Sequence, residues 1–159
     1  MIKYAGWTLM ELLLVLSLFA LCFCFVFGFN HSFFEKNKRD RLEKEVMNSI
    51  DYARESAMIS GQDLTLNPID ASDNWSSGMI LFVDNVSHHY TEQDKVIYRW
   101  QWSSSPHLKL LWRGFQSTKY LIFSNTLRRS IVNGHFVILK DGVEVRRIIL
   151  NRLGRVVVE

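Results

Sequence analysis

Residues 6–29 read Gly6-Trp7-Thr8-Leu9-Met10-Glu11-Leu12-Leu13-Leu14-Val15-Leu16-Ser17-Leu18-Phe19-Ala20-Leu21-Cys22-Phe23-Cys24-Phe25-Val26-Phe27-Gly28-Phe29. From Trp7 to Phe29 the run has 23 residues and a single charge, Glu11. At about 1.5 Å per residue, a helix of that length spans the roughly 30 Å hydrocarbon core of a bilayer. A carboxylate within such a helix costs about 2.5–3.5 kcal/mol on insertion scales and calls for a partner. A secretory signal peptide has a shorter apolar core of about 7–15 residues and a small-x-small cleavage site. Phe27-Gly28-Phe29-Asn30-His31 offers no such site. A lipoprotein signal places a small residue before its cysteine, whereas Leu21 and Phe23 precede Cys22 and Cys24. Two readings remain: an ordinary signal anchor with a stray glutamate, and an anchor helix whose one acid has a partner.

The leader before this run is only Met1-Ile2-Lys3-Tyr4-Ala5-Gly6, and Glu11 stands five positions after the glycine. This pattern resembles the processing site of type IV pilins and type II secretion pseudopilins. The resemblance implies cleavage between Gly6 and Trp7 by a prepilin peptidase and N-methylation of Trp7. It also implies an assembly role for Glu11, opposite a neighbouring subunit's terminal amine. Trp7 replaces the family's usual phenylalanine with another large aromatic suited to a membrane interface. The implied organisation is a leader at 1–6, a transmembrane half-helix at 7–29 and a periplasmic domain at 30–159, single-pass in a bacterial inner membrane. Charge counting alone points the other way. Lys36, Lys38, Arg39, Arg41 and Lys44 follow the run, against Lys3 before it.

About 130 residues follow the anchor, enough for one domain with its own core. Both cysteines lie in the apolar run, so no disulfide staples that domain. Leu42, Val46, Ile50, Ala53 and Ala57 recur at helical spacing, which predicts that the helix continues to about residue 60 and buries one stripe. Ser60-Gly61 is a plausible stop, and Gly28 with Asn30-His31-Ser32 could mark a bend. Beyond it, short β-like runs stand at 64–66, 79–83, 96–102, 108–112, 120–123, 136–139, 143–150 and 155–158. Asp141-Gly142 suits a type I′ hairpin turn. A long helix followed by many short strands predicts an α+β fold, with the helix packed on antiparallel sheet.

The order of Ala53-Arg54-Glu55-Ser56-Ala57, Trp75-Ser76-Ser77-Gly78, Phe82-Val83-Asp84-Asn85, Asn133-Gly134-His135-Phe136 and Gly154-Arg155 narrows the resemblance. It is similar to H-type minor pseudopilins and FimT/FimU-like minor pilins, which implies a spine helix with two β-sheets. The implied function is a minor subunit of a type II secretion pseudopilus. The alternative is a type IV pilus minor pilin that primes pilus assembly and could add DNA binding and uptake. Its partners would be other pilins or pseudopilins, the prepilin peptidase and inner-membrane lipid, with nucleic acid only under the alternative.

No nucleophile elbow, phosphate loop or HExxH motif is present, so an enzyme is not expected. No cofactor and no metal are expected either. His88-His89 reads as exposed loop histidines, adjacent on the chain and facing apart. The oxygen-rich loop 84–94 lacks the glycine spacing of an EF-hand and reads as a solvated turn rather than a calcium site.

The net charge is only +3, yet from residue 128 onward seven basic residues face three acids. In FimT-like relatives a Gly-Arg-x-Arg motif near the C-terminus contributes to DNA binding. Here the motif reads Gly154-Arg155-Val156-Val157, without the second arginine, which favours the secretion reading. Arg155, Arg146 and Arg147 are the candidate phosphate contacts. Arg146 and Arg147 are adjacent on a strand, so only one can join a given patch.

Overall fold

The computed structural model describes residues 8–70, 73–102, 105–126 and 128–158, with the backbone alone for 26–35 and 158. Chain contacts divide the protein into two compact units, residues 1–38 and 39–159. Helix α1 is recorded as one element from Leu9–Ser60, and neither Gly28 nor Asn30-His31-Ser32 ends it.

In the first unit, α1 carries leucines and phenylalanines on every side. Leu9, Leu12, Leu14, Leu16, Leu18, Phe19, Leu21, Phe23 and Phe25 are all exposed. Among the described residues, no helix is long and apolar enough to cross a membrane. Of the run that follows Glu11, the part with described side chains, Leu12 to Phe25, has 14 residues. At about 1.5 Å each it falls short of the roughly 30 Å core. Val26 to Phe29, which complete the expected span, lie where side chains are not described.

The second unit is the α+β body expected from the sequence. Leu42, Val46, Ile50, Ala53 and Ala57 are buried, each at 8% exposure or less. Ser49 joins the same stripe; its hydroxyl donates to the Val46 carbonyl at 2.8 Å and lies 3.3 Å from Met79 Sδ. Gly61, at φ 66°, ends the helix in the left-handed conformation that glycine adopts cheaply.

All eight expected strands are present: β1 Leu64–Pro68, β2 Gly78–Val83, β3 Val96–Gln101, β4 Leu108–Gly114, β5 Leu121–Phe123, β6 Gly134–Lys140, β7 Val143–Leu150 and β8 Val156–Val158. They form two four-stranded antiparallel sheets. The first has the order β3-β2-β1-β5 and the second β4-β6-β7-β8. β6 and β7 are joined through Asp141 (φ 50°) and Gly142 (φ 85°), both left-handed as a type I′ turn requires.

One core serves both sheets. Leu64, Leu66, Leu81 and Phe123 of the first and Leu110, Phe136, Ile138 and Ile148 of the second belong to a single buried cluster with the helix stripe. A 3-10 turn, Trp75–Ser77, wedges against the second sheet, where Trp75 meets the Phe136 ring edge-on at 5.3 Å. The Asn74 side chain caps this turn and accepts from the Leu110 amide at 3.1 Å, tying the turn to β4.

Candidate assembly site and basic residues

Gly6 and Trp7, the expected processing site, lie outside the described residues. Glu11 lies inside them, and its surroundings reveal a contact that the reading of the chain omitted. The Thr8 amide donates to Glu11 Oε2 at 3.2 Å, and the Glu11 amide donates back to Thr8 Oγ1 at 3.3 Å. Thr8-Leu9-Met10-Glu11 is therefore a reciprocal capping box, which satisfies the Thr8 amide and adds a second acceptor for the Glu11 amide, which also donates to the Thr8 carbonyl at 3.0 Å. The T-x-x-E spacing was visible in the sequence. The carboxylate thus has a partner within its own chain.

The arginine pair is sorted by a β-bulge. In β7, Glu144 pairs with Leu139 and Arg146 with Ile138, so Val145 is the extra residue. Beyond it Arg146 shares the inner face with Ile138 and approaches Glu43 of α1 at 3.1 Å. Arg147 points outward on the face of Val137. The bulge also brings Glu144 onto the outer face, where Arg147 Nη2 reaches it at 2.8 Å. Without a bulge, residues three apart on a strand would face opposite ways.

Of the three candidate phosphate contacts, two are thus engaged in ion pairs. The third, Arg155, is exposed, and its backbone amide donates to the Asn151 side chain at 3.0 Å in the turn between β7 and β8. The structure does not gather the three into one patch: Arg146 faces the core side of the sheet.

Loop 84–94 folds back over the outer face of the first sheet. Tyr90 packs edge-on against Phe82 at 5.8 Å. His88 and His89 both touch the Tyr120 ring, at 4.9 and 6.0 Å, so they converge rather than facing apart. The cause is the left-handed backbone of His88, φ 55°, which breaks strand alternation. His88 is half-buried, not exposed, and its Nδ1 lies 2.8 Å from Asp84 Oδ1. Asp84 also accepts from Thr65 Oγ1.

Asp94 Oδ2 accepts three hydrogen bonds, from Asn85 Nδ2, the Thr91 amide and Thr91 Oγ1, at 2.7–2.9 Å. Its carboxyl is held below the usual range, chiefly by Asn85 and then by Thr91. These oxygens organise the loop itself. Among the described residues no group of three or more His, Cys, Asp or Glu is placed to hold a metal.

A spine helix whose second half packs on two antiparallel sheets is a pilin-like architecture. Two crystal forms of the type IV minor pilin FimU from Pseudomonas aeruginosa (strain PAO1) share it. The first aligns over 80% of this chain and 92% of FimU with a TM-score of 0.61 at 15% identity. The second covers 76% and 91% with a TM-score of 0.51 at 13% identity. At such identities the likeness concerns the fold. The family comes from the sequence: the model of "Type II transport protein GspH" matches residues 44–154, and the chain belongs to the GspH family. No curated protein matches the chain.

Proposed function

We propose that the chain is a minor pseudopilin of a type II secretion system, a structural subunit of the periplasmic pseudopilus and not an enzyme. The observation that carries this reading is the GspH match over residues 44–154. The pilin-like fold suggests assembly with other pilins or pseudopilins. The exposed leucines and phenylalanines of the first unit support a helix that lies in lipid and then among neighbouring helices. In this reading residues 7–29 span the inner membrane once, the prepilin peptidase cuts between Gly6 and Trp7, and Trp7 is N-methylated. The domain after residue 30 lies in the periplasm. Glu11 meets the terminal amine of an adjacent subunit during growth of an open, heterologous assembly.

A second reading is a type IV minor pilin, favoured by the likeness to FimU. DNA contact belongs to it and would rest mainly on exposed Arg155. Deleting the gene in its host separates the two. The secretion reading expects loss of exoprotein release with pili intact. Loss of pili or DNA uptake with normal secretion would overturn it. Intact mass of the membrane-extracted protein tests processing, and a species retaining residues 1–6 in peptidase-positive cells refutes the cleavage.

A further inference from the structure

Two contacts orient β7 along α1 within the second unit. Arg146 reaches Glu43 at 3.1 Å, and Gly154, just beyond β7, lies against the Arg54 stem, where an added Cβ would stand 3.4 Å from Cδ. Moving from Arg146 back to the β6–β7 turn therefore means moving along α1 from Glu43 toward Arg39, the residue at which the chain enters this unit. Asp141-Gly142 stands at that entry end. The segment before β4 stands beside it, because the Asp141 amide donates to the His107 carbonyl at 3.0 Å.

The turn reaches past the edge of the core. Val143 pairs with Lys140 and Lys140 with buried Leu108, so the three share the inner face, yet Val143 is 66% exposed. The acids at this end are held locally. Asp40 lies 3.3 Å from Arg39, Glu45 3.8 Å from Arg41 and Glu43 3.1 Å from Arg146. Glu144 lies 2.8 Å from Arg147, and Asp141 2.9 Å from His107 Nδ1. Two lysines are left over. Lys44, next to Glu43, and Lys109, opposite Leu139 one position nearer the turn than Ile138, are exposed and form no ion pair among the described residues. The entry end therefore combines surplus positive charge with an exposed apolar tip.

We infer that this end of the second unit, through Lys44, Lys109 and the Val143 tip, docks on the phosphate headgroups of an anionic phospholipid surface. Positive charge near such a surface is attracted to it, and an apolar tip gains from the boundary between headgroups and acyl chains. A nucleic acid offers the phosphates but nothing for Val143. The inference rests on the proposed reading of residues 7–29 as a membrane anchor, which brings a bilayer to the end where the chain enters. It also gives a role to the basic residues that follow the apolar run, which a simple charge count sets against a periplasmic domain.

The full-length chain is reconstituted in nanodiscs of phosphatidylcholine alone or with about 30% phosphatidylglycerol, which makes the surface potential negative. Amide exchange of residues 140–143 is then followed by mass spectrometry. Exchange is expected to be about fivefold slower on the anionic discs, and to lose that difference at about 0.5 M salt. K44E/K109E is expected to abolish the difference, K44R/K109R to keep it and Val143→Asp to reduce it, with unchanged thermal melts throughout. Equal exchange on the two kinds of disc, in a chain embedded in both, overturns the docking and leaves the anchor reading standing. A chain that enters neither disc overturns the anchor reading and the docking with it. An anionic effect that survives in K44E/K109E also overturns the proposal. So does a DNA duplex that the wild-type chain binds and K44E/K109E loses, while exchange of the turn is the same on both discs.

Discussion

The two halves of α1 both carry large apolar side chains, but the first is apolar all round and the second confines them to one stripe among charges. In the first unit, Leu14, Leu18 and Phe25 are about 60% exposed. In the second, Val46, Ile50 and Ala53 are fully buried in one stripe, with Glu45, Asp51 and Glu55 on other faces. A single stripe is what a helix packed on a sheet needs, whereas apolar residues all round need a surrounding apolar medium. The second half of the helix obtains its partners by folding; under the proposed function the first half would obtain them by insertion or assembly.

The most severe way to break this contrast is to place a carboxylate in each half. Ile50→Asp leaves a charge with no partner in the core, and loss of the folded domain is expected, at more than about 4 kcal/mol. Thermal melting followed by circular dichroism would show it. Leu14→Asp should leave that melt unchanged and reduce membrane recovery, because the side chain is exposed in the chain itself. A lowered melt for Leu14→Asp would mean that the first half supports the domain directly.

Arg146→Leu tests the inner-face ion pair. Glu43 is only 17% exposed and would be left without its cation, while Arg146 retains some solvent screening at 35%. A loss of about 1–2 kcal/mol in urea unfolding is expected. Arg147→Leu, on the outer face, should cost less than about 0.5 kcal/mol.

At the helix start, Thr8→Ala removes a cap worth about 1 kcal/mol. Glu11→Gln keeps an acceptor for the Thr8 amide, because glutamine also closes a capping box, but it removes the charge. If charge pairing drives assembly, Glu11→Gln should be inserted and cleaved normally yet recovered poorly with partner subunits. Wild-type recovery of Glu11→Gln, together with poor recovery of Glu11→Leu, would assign Glu11 to capping alone.

The smallest expected effect is that of pH on His135, whose folded pKa lies below its unfolded value of about 6.5 through burial, Arg147 and Arg113. The unfolded state then binds more protons, so the contribution is fully present above about pH 6.5 and lost as pH falls toward the folded pKa. His135→Asn should flatten the melting temperature over that window. Asp94 acts in the same direction at lower pH: its stabilisation is present above about 3.9 and lost below as the carboxyl protonates.

Much of this architecture could be read in the chain because periodicity reports it directly. The stripe from Leu42 to Ala57, the eight strands and the Asp141-Gly142 turn all follow from local patterns. The pairing order, with β5 beside β1 and β4 beside β6, is non-local and left no comparable signal. The histidines misled because strand alternation was applied to a residue with positive φ. The capping box at Thr8 was legible and was overshadowed by the rarer meaning of an acid in an apolar run.

The extra residue in β7 bears on how this chain tolerates changes of length. Lys140, Leu139, Ile138 and Val137 face Val143, Glu144, Arg146 and Arg147 in turn, and Val145 faces no one. Removing Val145 would therefore leave every other partnership in the hairpin as it is, at the cost of one half-buried contact with the core. Relatives one residue shorter at this point are expected to keep the same inside and outside beyond the gap. Losing Arg146 instead would move Val145 into its place opposite Ile138 and leave Glu43 facing a valine.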